Sequence, residues 1–297
     1  MNILIFSGIG GTYLKEDLPE RWPCIVRILR EQGHIVHNVG PNGECNSCFK
    51  DIFKVVEDLK FEPNLILSIE DIFADNIKDW TKCPTVFWGM ETMHHHEGHF
   101  IRGKLHNYCF INDLVRWNDF KSRGLKCEFM SFAVSDTIWD YTSPKEYDIA
   151  YVGRLGKQDI DYYKERWDYF KLLQEDKYWE GKILYKDQQS KFEDYVRETS
   201  RGRIQWNFDS KDHLSERHWE GMALGCALFN SVTGVEQLFC DELHVSLYRG
   251  KEDMLQRAKK LIESGTWEQI WDFSRKDMLE NHTYKNRIQR ILEVACG

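Results

Sequence analysis

The chain has 297 residues, a net charge of −8, an apolar fraction of 42% and an aromatic fraction of 14%. That is long for one core and comfortable for two domains of about 150 residues each, and the apolar share excludes a disordered chain. No run of about 18 apolar residues could cross a membrane, and the acidic balance excludes a globally basic nucleic-acid footprint, though not a local basic patch.

Residues 2–6 (NILIF) read as a short buried-type strand that starts with no basic n-region, so no signal peptide is expected. The Gly-rich SGIGG follows, then a helix with Ile25, Ile28 and Leu29 on one face. Residues 34–39 read as the next strand. PNGECNSCF then places Cys45 and Cys48 in a CxxC with no second pair at zinc-ribbon distance, so they read as two loop thiols. The nine cysteines are odd in number and scattered, which points to reduced thiols and a cytoplasmic setting, or a host cytoplasm if the source is viral. A helix is expected over 51–59 and strands over 65–69, 85–88, 108–111 and 127–132.

The pattern lapses at 136–145 (DTIWDYTSPK), where Pro and Ser/Thr turn signals suggest an interdomain linker. A second series follows, with strands over 147–152, 182–185, 203–208, 227–230 and 244–248 and helices over 159–175 and 215–224. Three helical segments close the chain, the last over 283–294. Strands alternating with helices predict parallel sheets, hence an α/β protein of two Rossmann-like doubly wound domains facing a central cleft. The expected boundaries are 1–140, 141–280 and a terminal helix over 281–297 that crosses back through Tyr284, Arg287 and Ile291.

In such sheets ligands sit at the carboxyl ends of strands, near helix N-termini. In SGIGG, Gly10 and Gly11 could let backbone amides approach an anion, but the spacing is not G-x-G-x-x-G, and a tight turn fits as well. In YVGRLGK a strand delivers Gly153, then Arg154 and Lys157, two cations suited to a diphosphate or to a solvated basic loop. In KDHLSERHWEGMALGCALFNSVTGVEQLF a helix opens near Ser215 and carries Arg217 and Glu220 on one face, with Asp212 eight residues before Glu220. A carboxylate there can accept two sugar hydroxyls and an arginine can hold phosphate; an i,i+3 surface ion pair is the plainer alternative. Finally, TVFWGMETMHHHEGHF packs four histidines and two glutamates into residues 85–100. His95 and His99 are four apart with His96 beside them, and Glu91 or Glu97 would have to complete a metal set.

RHWEGMALGCALFNSVTGVEQLF resembles the R-x-F-E-A-x-A-x-G-x-x-L-x-T segment of retaining GT-B glycosyltransferases, and among them the CgeB-like branch of glycosyl transferases group 1. YDIAYVGRLGK, ELHVSLYRGKEDMLQRAKKLIE and ENHTYKNRIQRIL resemble the family's C-domain segments in the right order, and TVFWGMETMHHH is similar to its aromatic-acidic-His strand end. The resemblance covers most of the chain, most strongly residues 147–292.

It implies a GT-B fold and transfer of a sugar from a nucleotide-sugar, a UDP-sugar first, to a hydroxyl acceptor. No tightly bound cofactor and no divalent metal are implied. Glu220 matches the second acid of the family's E-x7-E element; the first falls on Asp212, a departure from Glu. Arg154, Lys157 and Arg217 would neutralise the diphosphate, with amides around Thr233, Gly234 and Val235 adding to that clamp. Glu91, His94 and His95 would face the acceptor. That acceptor is a glycan, a protein or a hydroxymethylated DNA base, for which Lys and Arg at 102, 104, 116, 121, 123 and 126 offer a local basic patch or an ordinary solvated surface. Two other readings stand beside the transferase: a metal-dependent hydrolase built on the cluster from His94 to His99, and a catalytically silent nucleotide-sugar binder.

Overall fold

The structure, a computed structural model, describes residues 1–7, 21–40, 50–70, 73–90, 92, 95–153, 155, 161–186, 191–208, 214–231 and 233–297, with the side chains at 21–23, 161–163 and 233–234 outside the description. The chain divides into two compact units: Met1–Phe132 with Tyr284–Gly297, and Ala133–Thr283. Each is built on a parallel sheet flanked by helices, the expected α/β architecture. Among the described residues no helix is long and apolar enough to cross a membrane.

The first unit holds strands β1 (Asn2–Phe6), β2 (Ile35–Val39), β3 (Leu65–Ile69), β4 (Thr85–Gly89), β5 (Tyr108–Ile111) and β6 (Glu128–Phe129). Their order is β2-β1-β3-β4-β5-β6, with every pairing parallel. Helices α1 (Arg21–Glu31), α2 (Ile52–Leu59), α3 (His96–Gly103) and α4 (Leu114–Ser122) make the crossovers. β3 and β4 are buried at every position, as continuous apolar runs between two helical layers must be. Asp51 starts α2 by accepting from the Phe53 N–H at 3.0 Å, a carboxylate N-cap.

The strand expected over 127–132 contracts to β6. Glu128 and Phe129 pair with Phe110 and Ile111, but the Ser131 and Phe132 carbonyls instead accept from the Arg287 guanidinium, both at 3.1 Å. Arg287 lies on the chain's last helix, whose Tyr284 is buried with its ring 6.3 Å from that of Trp88.

The second unit holds β7 (Tyr147–Val152), β8 (Ile183–Lys186), β9 (Gly202–Asn207), β10 (Cys226–Asn230) and β11 (Ser246–Tyr248) in the order β11-β10-β9-β7-β8, again all parallel. Its helices are α5 (Asp161–Glu175), α6 (Phe192–Ser200), α7 (Glu216–Leu224), α8 (Thr233–Leu238), α9 (Lys251–Ser264) and α10 (Thr266–Asn281), and the last helix is α11 (Tyr284–Cys296). Gly202 lets β9 close on β7, because a Cβ there would lie 2.5 Å from that of Ala150. The stretch read as a linker is packed: the Trp139 indole donates to the Ala223 carbonyl at 3.2 Å, and Lys145 turns its ammonium onto the Gly202 carbonyl at 2.9 Å.

Counted from its own first strand, the first sheet runs 2-1-3-4-5-6 and the second 2-1-3-4-5. In such sheets the order reverses between the first and third strands, and ligands sit outside the carboxyl ends there. Those switch points are β1/β3 in the first unit and β7/β9 in the second.

Two histidines in the first unit fold as neutral groups. Burial pushes His99 down to about 3 and His106 down to about 4. Both values lie below the ordinary 6.5, so the unfolded chain binds protons that the folded unit does not as pH falls through that window. Each contributes a slope of ~1.4 kcal/mol per pH unit. The urea midpoint of the protein should therefore fall steadily from pH 6.5 to 4.5, and a flat profile there would contradict this placement.

Candidate functional site

The β7/β9 switch point of the second unit gathers the charged groups. β7 ends at Val152, and Gly153 follows with φ +150°. A Cβ on Gly153 would stand 2.1 Å from a guanidinium nitrogen of Arg217. Only glycine therefore lets the Arg217 head lie on the backbone at this strand end. Arg217 Nη1 donates to the Val152 carbonyl at 2.7 Å, and its guanidinium lies 5.5 Å from the Tyr151 ring centroid and 5.8 Å from that of Tyr195. One turn further along α7 is Glu220, whose Oε2 accepts from the Tyr195 hydroxyl at 2.7 Å. Burial first, and the Glu220 charge second, hold the Tyr195 phenol well above its ordinary value, so it stays a donor. Tyr151, Tyr195, Asn207, Arg217 and Phe229 leave between them a cavity of only about 20 Å³, the space of one water, so the cluster is packed as a unit.

The far end of α7 is held as firmly. A helix leaves its last carbonyls without intrahelical donors. Here Ala223 accepts from the Trp139 and Trp271 indoles, each at 3.2 Å, and Met222 from the Ser274 hydroxyl at 3.2 Å. Lys145 donates to the Leu224 carbonyl and lies 4.1 Å over the Trp271 ring. Burial, with Arg275 second, pushes the Lys145 ammonium down to about 7.

α8 begins beyond β10. Its Thr233 and Gly234 enter the description by backbone alone, and Val235 is buried. Its Glu236 accepts from Ser231 and, at 2.6 Å, from Arg249, contacts that hold this carboxyl below its usual range.

Of the residues singled out in the sequence, Arg217 and Glu220 stand together. Gly10, Gly11, Glu91, His94, Arg154, Lys157 and Asp212, and the Cys45–Cys48 pair, lie outside the described residues. Tyr195 escapes sequence patterning: it is 25 residues from Glu220 and on another helix, so no spacing announces the contact.

In the first unit the histidines separate by burial. Thr92 Oγ1 donates to the Gly89 carbonyl at 3.1 Å and lies 3.0 Å from Nδ1 of the fully buried His99. The exposed His95 stacks on His99 at 5.5 Å. His96 Nε2 meets Asp119 at 2.9 Å while its ring stacks on Phe120. Glu97 is held by Arg123 through two contacts of 2.7 and 2.8 Å, which lower its carboxyl. Among the described residues no group of three His, Cys, Asp or Glu is placed to hold a metal ion. Within the basic stretch, Arg123 is thus engaged, Arg116 pairs with Asp113 at 3.5 Å, and Lys104 and Lys121 lie over the Phe100 and Trp117 rings.

A larger groove of about 530 Å³ is bordered by Leu243, Ser246, Arg257, Leu261, Ile270 and Phe273. Ser246 is the first residue of β11, so this groove lies at an amino end of the sheet, away from the ends where doubly wound sheets bind ligands.

Comparison with known proteins gives consistent findings. A family model described as glycosyl transferase-like matches residues 145–293, half of the chain. Among solved structures, HepE from Anabaena in complex with UDP and glucose matches at 12% identity and a TM-score of 0.64, covering 99% of each chain. Sucrose-phosphate synthase from Thermosynechococcus elongatus matches at 11% identity and TM-score 0.61, covering 99% of this chain and 98% of the other. An alpha-glucosyltransferase in complex with UDP-glucose and DNA containing an abasic site matches at 10% identity and TM-score 0.60 over 100% of both chains. These are GT-B glycosyltransferase folds, as the sequence led us to expect. No curated protein sequence matches the chain significantly.

Gly153 and Gly181 both have positive φ, but a Cβ on Gly181 would meet nothing within 4 Å. Gly153→Ala should therefore lower the unfolding free energy by ~1–3 kcal/mol more than Gly181→Ala, because φ +150° is a conformation that only glycine adopts readily, φ +72° is not, and the new methyl must also push the Arg217 head aside. Equal losses in urea denaturation would contradict this backbone conformation at Gly153.

Proposed function

The chain belongs to the glycosyl transferase-like family and is a glycosyltransferase, and from that premise we propose a retaining, CgeB-like enzyme that moves a sugar from a UDP-sugar to a hydroxyl acceptor in the cytoplasm. The observation that carries this reading is the placement of Arg217 on the Gly153 backbone at the β7/β9 switch point, with Glu220 one turn away.

In this reading the unit Ala133–Thr283 binds the donor. Arg217, with Arg154 and Lys157 from the loop after β7, neutralises the diphosphate. The amides of Thr233, Gly234 and Val235 and the glycine loop at Gly10 and Gly11 add donors. Glu220 accepts from the ribose hydroxyls, and Asp212 stands at the place of the first acid. Glu91, His94 and His95 serve the acceptor side.

During transfer the bond from the anomeric carbon to the diphosphate oxygen breaks and the acceptor oxygen bonds to that carbon on the same face. The acceptor proton passes to the departing diphosphate. Charge grows on the leaving group, so cations fixed beforehand act where they lower the barrier most. They do so without a divalent metal. The alpha-glucosyltransferase sharing this fold was solved with UDP-glucose and DNA, which makes a hydroxymethylated DNA base the acceptor to test first, ahead of glycans and proteins.

A thermal-shift and hydrolysis screen against UDP-, GDP-, ADP- and CDP-sugars, with and without EDTA, tests the reading. One nucleotide should stabilise the protein regardless of EDTA. Glu220→Ala should then cut turnover of that donor by about 100-fold or more, the scale of losing one preorganised polar contact in a dry site, while the protein stays folded and loses only several degrees of melting temperature for the broken Tyr195 bond. Stabilisation by no donor together with destabilisation by EDTA would overturn the proposal in favour of metal chemistry at the histidine-rich loop.

A further inference from the structure

We propose that Tyr195 is a positioning residue for donor binding: its hydroxyl fixes the Glu220 carboxylate in the orientation that accepts the ribose hydroxyls. The inference rests on the donor-site reading above and extends it to a residue on a different helix. Tyr195 is on α6 and Glu220 on α7, so their 2.7 Å contact ties the two helices at the carboxylate itself. A phenol has one proton to give, and here it goes to Glu220 Oε2, a charge-assisted bond in a poorly solvated place. The same ring lies 5.8 Å from the Arg217 guanidinium. Tyr195 thus touches both Glu220 and Arg217 on α7, the first through its hydroxyl and the second through its ring.

The two contacts separate cleanly by substitution. Tyr195→Phe keeps the ring against Arg217 and removes only the bond to Glu220, so the donor diphosphate should still find its cation. Loss of orientation should appear only in ligands whose ribose carries hydroxyls.

Calorimetric titration of the intact protein with UDP, GDP, ADP and CDP selects the nucleotide that binds tightest. That nucleotide is then compared with its 2′,3′-dideoxy form on the unaltered protein, Glu220→Ala and Tyr195→Phe. The unaltered protein should prefer the ribose form, and Glu220→Ala should lose that preference. Tyr195→Phe should reduce it about tenfold while binding the dideoxy form as tightly as the unaltered protein does. A Tyr195→Phe protein that keeps the full preference, where Glu220→Ala has lost it, would overturn the role of Tyr195 alone. A Glu220→Ala protein that keeps the preference, or no binding by any nucleotide, would overturn the donor-site reading and this inference with it. Equal weakening of both ribose and dideoxy forms by Tyr195→Phe would mark the residue as merely structural.

Discussion

The last carbonyls of α7 impose the constraint on which the second unit depends. They have no donors within the helix, and unpaired buried carbonyls are costly, so donors must come from elsewhere. Four side chains supply them: Trp139 and Lys145 from the segment before β7, and Trp271 and Ser274 from α10. Each neutral bond contributes about 1 kcal/mol in net terms, but the arrangement matters more than the sum. The donors come from two distant stretches of chain, so α7 cannot rotate or slide without breaking several bonds at once. At its other end Arg217 is bonded to the last residue of β7.

A helix fixed at both ends presents its polar face in one orientation. Arg217 and Glu220 are then held in place before any ligand arrives, which is the condition under which charges aid transfer most. Gly153 makes the strand end bare enough for the guanidinium to reach it. The first unit follows a different logic. There burial sorts the three described histidines of residues 95–99 into separate duties: His99 is a neutral core group, His96 an ion-pair partner on an aromatic ring, and His95 an exposed ring stacked above the core.

Much of this was legible in the sequence, for identifiable reasons. Strands over 2–6, 65–69, 108–111 and 147–152 have the bounds that their apolar runs announce, because strands covered on both faces leave a continuous signal. Edge strands were read too long. Beyond β6 the Ser131 and Phe132 carbonyls go to Arg287, and β11 begins at Ser246 because His244 belongs to the preceding turn, its Nδ1 accepting from the Cys240 N–H at 3.2 Å. Arg217 and Glu220 were visible because helical spacing puts them on one face. Tyr195, Lys145 and Trp271 were not, since each acts through a contact between distant segments that no local period records. Lys145 sits in a stretch whose Pro and Ser/Thr content reads as an interdomain linker, and no local signal there shows that its ammonium caps a helix.

The most direct test of the account is a crystal structure of the protein with its nucleotide bound. The account predicts the diphosphate against Arg217 beside Gly153, with the ribose hydroxyls within hydrogen-bond distance of the Glu220 carboxylate. A nucleotide seated instead in the groove between Leu243 and Phe273, or against the histidine-bearing loop after β4, would contradict it.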